Sequence, residues 1–108
     1  MTGPGEDHDD VERVRLDDLE GRPGARALDG SPVVIRLALD AGESVPPHDH
    51  PGTTVVLHVV EGVLDARLDG ESRELAAGDL VRFPGEREVS PLAVEDAVAL
   101  VYLVEDAG

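Results

Sequence analysis

Residues 42–62 read GESVPPHDHPGTTVVLHVVEG. The stretch holds two different signals. Its second half, from Thr53 to Val60, is rich in β-branched residues and is closed off by Gly52 and Gly62. That composition suits a pleated strand and not a helix. The run is apolar on both of its faces, so the strand must be covered on both sides. Its first half places His48 and His50 two apart among Pro46, Pro47 and Pro51. In extended chain, residues i and i+2 point to the same side. Two imidazoles projecting together form a clamp for a metal ion, and neutral histidine is the commonest metal ligand. Taken alone, a His-x-His pair is a weak signal and is more often a surface pair in a polar loop.

Outward from this stretch the punctuation is that of an all-β domain. Short apolar runs alternate with Gly, Pro and Asp every 8–12 residues. The expected strands are 13–16, 25–28, 33–39, 53–60, 63–68, 72–75, 80–83, 88–94 and 98–104. Turns are expected at 21–24, 40–42, 69–70, 77–78 and 84–85. Asp69 and Gly70 make the clearest one, because a two-residue hairpin needs positive φ at both central positions. Helix is nearly absent: the acidic stretch 17–20 could form one turn, but Gly21 and Pro23 cut it. The 98–104 strand, like 53–60, is apolar on both faces, which fits a barrel that also meets a second subunit. Residues 1–12 hold Gly, Pro and acids with little to bury and read as a disordered acidic tail. The domain is expected over 13–104, with a short C-terminal tail at 105–108.

Composition narrows the function classes. The chain has 108 residues, one domain's worth, and 41% are hydrophobic. Only Phe83 and Tyr102 are aromatic, so the core is almost purely aliphatic. The net charge is −15, and all nine basic residues are Arg. Such a chain lacks the basic footprint that phosphate backbones and anionic membrane surfaces require, so neither nucleic acid nor membrane is expected as a partner. No cysteine is present, which excludes disulfides, thiolate catalysis and Cys-based metal sites. No apolar run approaches the roughly 20 residues of a membrane span. Residues 1–10 have neither the basic nor the apolar region of a signal peptide, so the cytoplasm is the simplest expectation. The acid excess without Lys resembles proteins of salt-loving archaea, whose carboxylates keep the surface hydrated. A GC-rich genome explains the missing Lys but not the charge.

The spacing Gly42–x5–His48–x–His50–x4–Val55–x6–Gly62, followed by Gly78–x5–Pro84, resembles the two motifs of the cupin superfamily. The first motif is Gly-x5-His-x-His-x3–4-Glu-x6-Gly, and the second is Gly-x5-Pro-x-Gly-x2-His-x3-Asn. The resemblance runs from residue 33 to 104 and implies a small antiparallel double-sheet jelly-roll barrel. It also implies a site, because cupin metals sit on three His and one Glu. Here the Glu position is Val55 and the third His position is Val89. The motif Gly between them is Glu86, and the terminal Asn position is Ala93. Only His48 and His50 remain of the four ligands, so a divalent ion (Zn, Ni, Mn or Fe) would be weakly held. Glu88 or Glu86 is the candidate third ligand, with Glu88 turned inward if the register slips by one.

The expected ligand pocket is His48, His50, Val55, Leu57, Val59, Phe83 and Val89, an apolar wall with two polar anchors, the usual form of a small-molecule site. His58 falls on the opposite face of its strand and reads as a packed or interfacial residue. No Ser lies in a nucleophile-elbow motif. The expected function is small-molecule binding in the barrel of a homodimer. The rivals are a metal-dependent oxygenase, isomerase or decarboxylase using His48, His50 and a carboxylate, and a structural dimer with its barrel filled.

Overall fold

The computed structural model describes residues 11–106. Among the described residues eight antiparallel strands form two sheets. The strands are β1 (Gly24–Arg26), β2 (Val33–Leu39), β3 (Thr53–Glu61), β4 (Val63–Leu68), β5 (Glu74–Ala76), β6 (Leu80–Pro84), β7 (Val89–Ala93) and β8 (Ala97–Glu105). The larger sheet has the order β1-β2-β8-β3-β6 and the smaller one β5-β4-β7. The two sheets make the all-β jelly-roll expected from the motifs. The aliphatic core between them includes Leu37, Leu57, Val59, Leu64, Ala66 and Ala99. Among the described residues no helix is long and apolar enough to cross a membrane.

Alternation decides which side chains enter that core. Along β4, Leu64, Ala66 and Leu68 are buried while Val63, Asp65 and Arg67 are partly exposed. Across the large sheet, Leu57 pairs with Val101 on β8 and Val81 on β6, and Val101 pairs with Ile35 on β2. Directly paired residues share a face, so this row points inward with Leu57. The next row, Arg36, Leu100, His58 and Leu80, therefore points outward. His58 thus stands on the outer face.

The turns follow local chemistry. Asp69 (φ 51°) and Gly70 (φ 83°) are both left-handed, and Leu68 and Glu71 exchange backbone hydrogen bonds around them at 3.0 and 2.8 Å. Between β3 and β4 only Gly62 intervenes, at φ 77°. A Cβ there would overlap the Asp96 carbonyl, so this crossing from one sheet to the other is open only to glycine.

Residues 13–16 depart from expectation, since they are not a strand. Their alternation Arg-Val-Arg-Leu suits one, but β1 already occupies the edge next to β2. The segment instead ends in a 3₁₀ turn, Leu16–Asp18, closed by Asp18 N–H to Arg15 C=O and Leu19 N–H to Leu16 C=O. Arg36, 8% exposed, ties it to the outer face by donating to the Leu16 carbonyl (3.4 Å) and the Gly21 carbonyl (2.8 Å). The start of β5 also shifts, from residue 72 to Glu74. The Asp65 carboxylate accepts from Ser72 Oγ and Arg73 N–H at 2.9 Å, which holds those residues in a turn. At the C-terminal end β8 continues one residue beyond the expected limit, through Glu105, and Asp106 N–H donates to the Gly52 carbonyl. At the other end Glu12, placed in the expected tail, accepts from Asp29 N–H. Residues 1–10 of that tail, with His8, lie outside the described residues, as do residues 107 and 108.

Candidate functional site

The segment between β2 and β3 carries the histidines, and its backbone fixes them. It runs antiparallel along β7 as a broken extra strand. Gly42 and Val45 N–H donate to the Ala93 and Pro91 carbonyls, and Ala93 N–H donates back to Glu43. Pro46 and Pro47 cannot donate, so no continuous ladder forms. Pairing resumes at His48, which exchanges hydrogen bonds with Val89 at 3.1 and 2.8 Å. His50 N–H then donates to Gly85 C=O at 2.7 Å, and Thr53 Oγ1 donates to the His50 carbonyl at 2.7 Å. Both histidines are therefore held at the backbone by the β6–β7 region before any side chain is considered.

The rings meet edge to face, with centroids 4.9 Å apart and planes at 89°. His48 Nδ1 lies 3.0 Å from the Pro46 carbonyl. A carbonyl only accepts, so Nδ1 carries a proton. In the neutral ring that leaves Nε2 as a lone-pair acceptor. Burial pushes the His50 pKa below the ordinary histidine value, and repulsion from His48 lowers it further, against a smaller opposing pull from exposed Asp49. The site thus favours the uncharged form of His50.

Both rings line a cavity of about 180 Å³ between the sheets. Its wall takes Val55 and Leu57 from β3, Phe83 from β6, and Val89 and Pro91 from β7. Ile35 and Leu37 of β2, Val101 of β8 and Val45 of the histidine segment complete it, with Gly24 of β1 and the preceding Pro23. Apart from the two imidazoles, no side chain in this wall is polar. Six of the seven expected pocket residues are brought together here. The seventh, Val59, is fully buried but lies beyond the cavity, packed in the core with Leu64 and Ala99.

The expected third ligand is not delivered. Val89 pairs directly with His48, so the register has not slipped and the neighbouring Glu88 is turned to the opposite side. Glu88 lies in a separate surface groove with Arg67, Asp69 and Ser90. Glu86 is exposed and accepts a hydrogen bond from Gly52 N–H at 3.1 Å. Among the described residues no group of three or more His, Asp or Glu side chains could hold a metal ion. Val55 and Val89, only 2% and 6% exposed, present methyl groups where a cupin metal site has Glu and His. The donors present are half a set, and they do not fit a resident metal, which needs at least three protein ligands in a catalytic zinc-type site.

The β2 and β8 contributions, Ile35, Leu37 and Val101, were not foreseen. One signal was available for the first two. Arg36 is the one charge in an otherwise apolar strand, and placing it outward sends both of its neighbours inward.

The family profile described as Cupin domain matches residues 35–104, and the chain belongs to that family. Solved structures agree on the fold. KdgF from Halomonas sp. has a TM-score of 0.75 at 20% identity, covering 90% of this chain and 96% of that one. An uncharacterized conserved protein with a double-stranded beta-helix domain from Klebsiella pneumoniae has a TM-score of 0.80 at 16% identity, covering 98% and 95%. A predicted oxalate decarboxylase from Thermotoga maritima has a TM-score of 0.75 at 19% identity, covering 88% and 100%. At these identities the likeness is one of fold. No curated protein sequence gives a significant match.

Proposed function

We propose that this cupin binds a small molecule inside its barrel, with His48 and His50 as the polar anchors, and that it works as a cytoplasmic homodimer in a salt-rich interior. The observation that carries the reading is the cavity of about 180 Å³. A barrel serving only as a structural element would have that space filled by side chains, since protein interiors are close-packed. The cavity is also apolar with a few convergent polar groups, the usual character of a small-ligand site. A divalent ion finds only two imidazole nitrogens in this wall, so any binding of one is weak and incidental. A metal-dependent enzyme is for that reason the less supported reading.

The test is titration with benzene, followed on the methyl resonances of Leu57 and Val101. An apolar cavity of roughly 150 Å³ accepts benzene. Saturable shifts confined to cavity methyls are expected. If those resonances stay in place at saturating benzene, the cavity is not a binding site.

A further inference from the structure

The site favours one chemical class of ligand. Resting on the reading of the cavity as a binding site, we infer that its ligand is an uncharged, single-ring hydroxy compound of phenol size. Three observations converge on this class.

The first is volume. About 180 Å³ is slightly more than the roughly 150 Å³ that holds one benzene ring. One ring with a small substituent fills that space.

The second is charge. No Arg lines the cavity, and the chain as a whole carries −15. A carboxylate or phosphate entering it would lose its hydration and meet no guanidinium, which is unfavourable. The Phe83 ring and the aliphatic wall instead favour an apolar body.

The third is the pair of polar partners, His48 and His50. The Pro46 carbonyl takes His48 Nδ1–H, which in the neutral ring leaves Nε2 as an acceptor and calls for a donor on the ligand. A hydroxyl supplies it. It can also accept from the N–H that a neutral His50 keeps, whereas a carbonyl or ether oxygen has no proton to give His48.

The decisive measurement compares three probes, phenol, toluene and benzoate, on the full chain and on His48→Phe, at neutral pH and by methyl resonance titration. Phenol and toluene are nearly the same shape, so the ratio of their dissociation constants isolates the hydroxyl. Comparing that ratio between the two proteins cancels their different hydration. Moving from the parent to His48→Phe is expected to shift the ratio toward toluene by about tenfold, the size of one buried hydrogen bond. Benzoate is expected to bind the parent at least about tenfold more weakly than phenol, given the cost of burying an unpaired charge. Toluene binding to His48→Phe shows in the same titration that the variant is folded and its cavity intact.

If benzoate binds as tightly as phenol, or if the ratio does not move in His48→Phe, the ligand class is wrong while the cavity still stands as a site. If neither toluene nor phenol perturbs the cavity methyls of the parent, the site itself fails and this inference fails with it.

Discussion

At the level of single residues, the site turns on which positions lost a ligand. His48 and Val89 are a direct cross-strand pair, and Val55 stands on the same cavity wall. The double substitution Val55→Glu with Val89→His is therefore expected to restore a three-His, one-Glu set. Calorimetry should show weak nickel or zinc binding by the parent, lost in His48→Ala with His50→Ala. The rebuilt protein should bind at least about a hundredfold more tightly, since it passes from two ligands to four. Without metal it should be less stable by about 3 kcal/mol, because polar groups replace two packed methyl-bearing side chains. Tight binding by the parent would mean that a residue outside the cavity wall is a ligand after all. The histidines themselves were legible because their signal is local: spacing and prolines place two rings on one side. The fate of Glu88 was not legible. Its orientation depends on the register between the histidine segment and β7, a pairing between residues about 40 positions apart that leaves no mark on either stretch.

At the level of elements, most strand limits were legible because turn chemistry marks them. β2 and β4 lie where their flanking Gly, Pro and Asp residues put them, and the hairpin at Asp69 and Gly70 has the two left-handed residues its sequence requires. Arg13 to Leu16 misled for the opposite reason. Alternation states what a strand would bury but not whether an edge is free to pair with it. β8 hid its inner face as well, because from Ala97 to Val104 it is uncharged and offers no residue whose preference for water sets the parity. The link between β3 and β4 gives a sharp test of backbone against space. Gly62 and Gly70 have nearly the same φ, 77° and 83°. A Cβ at Gly70 meets nothing within 4 Å, while one at Gly62 overlaps the Asp96 carbonyl. Gly70→Ala should cost only the left-handed penalty, about 1 kcal/mol. Gly62→Ala should cost more than about 3 kcal/mol, because the β7–β8 turn must also move. Equal losses in urea denaturation would show that the two sheets are joined less tightly than the structure indicates.

At the level of the whole molecule, charge and the outer face dominate. The ion pairs among the described residues, such as Arg22 with Asp40 and Arg73 with Glu71, are surface pairs and contribute little. They do not offset a net charge of −15. The melting temperature should therefore climb steeply between about 0.1 M and 2 M KCl, as the screening length falls from roughly 10 Å to below 3 Å. A matched series in sucrose separates screening from general exclusion. A flat salt profile would remove the electrostatic account. The outer face of the large sheet carries Val56, Leu100 and Tyr102 half-buried, and Leu80 and Val104 at 65% and 46% exposure. Arg82 and His58 interrupt these residues, but soluble monomers seldom leave so many large apolar side chains on one face uncovered. Sedimentation in high salt should give a dimer for the parent and a monomer for Leu80→Arg with Val104→Arg. A monomeric parent at micromolar concentration would leave that face without an explanation. The order of the large sheet also bears on how the molecule comes to exist. β8 lies between β2 and β3, bonded to both, yet it is the last of the eight strands to be synthesised. Until residue 105 has left the ribosome, the nascent chain can pair β1 with β2 and β3 with β6, but those two halves have no strand to join them. The barrel must then close after translation of the domain, by contacts distant in sequence, which makes for slow folding. During that interval the apolar flanks of β2 and β3 are open to other chains, the period in which an aliphatic, double-faced sheet is most exposed to misassembly.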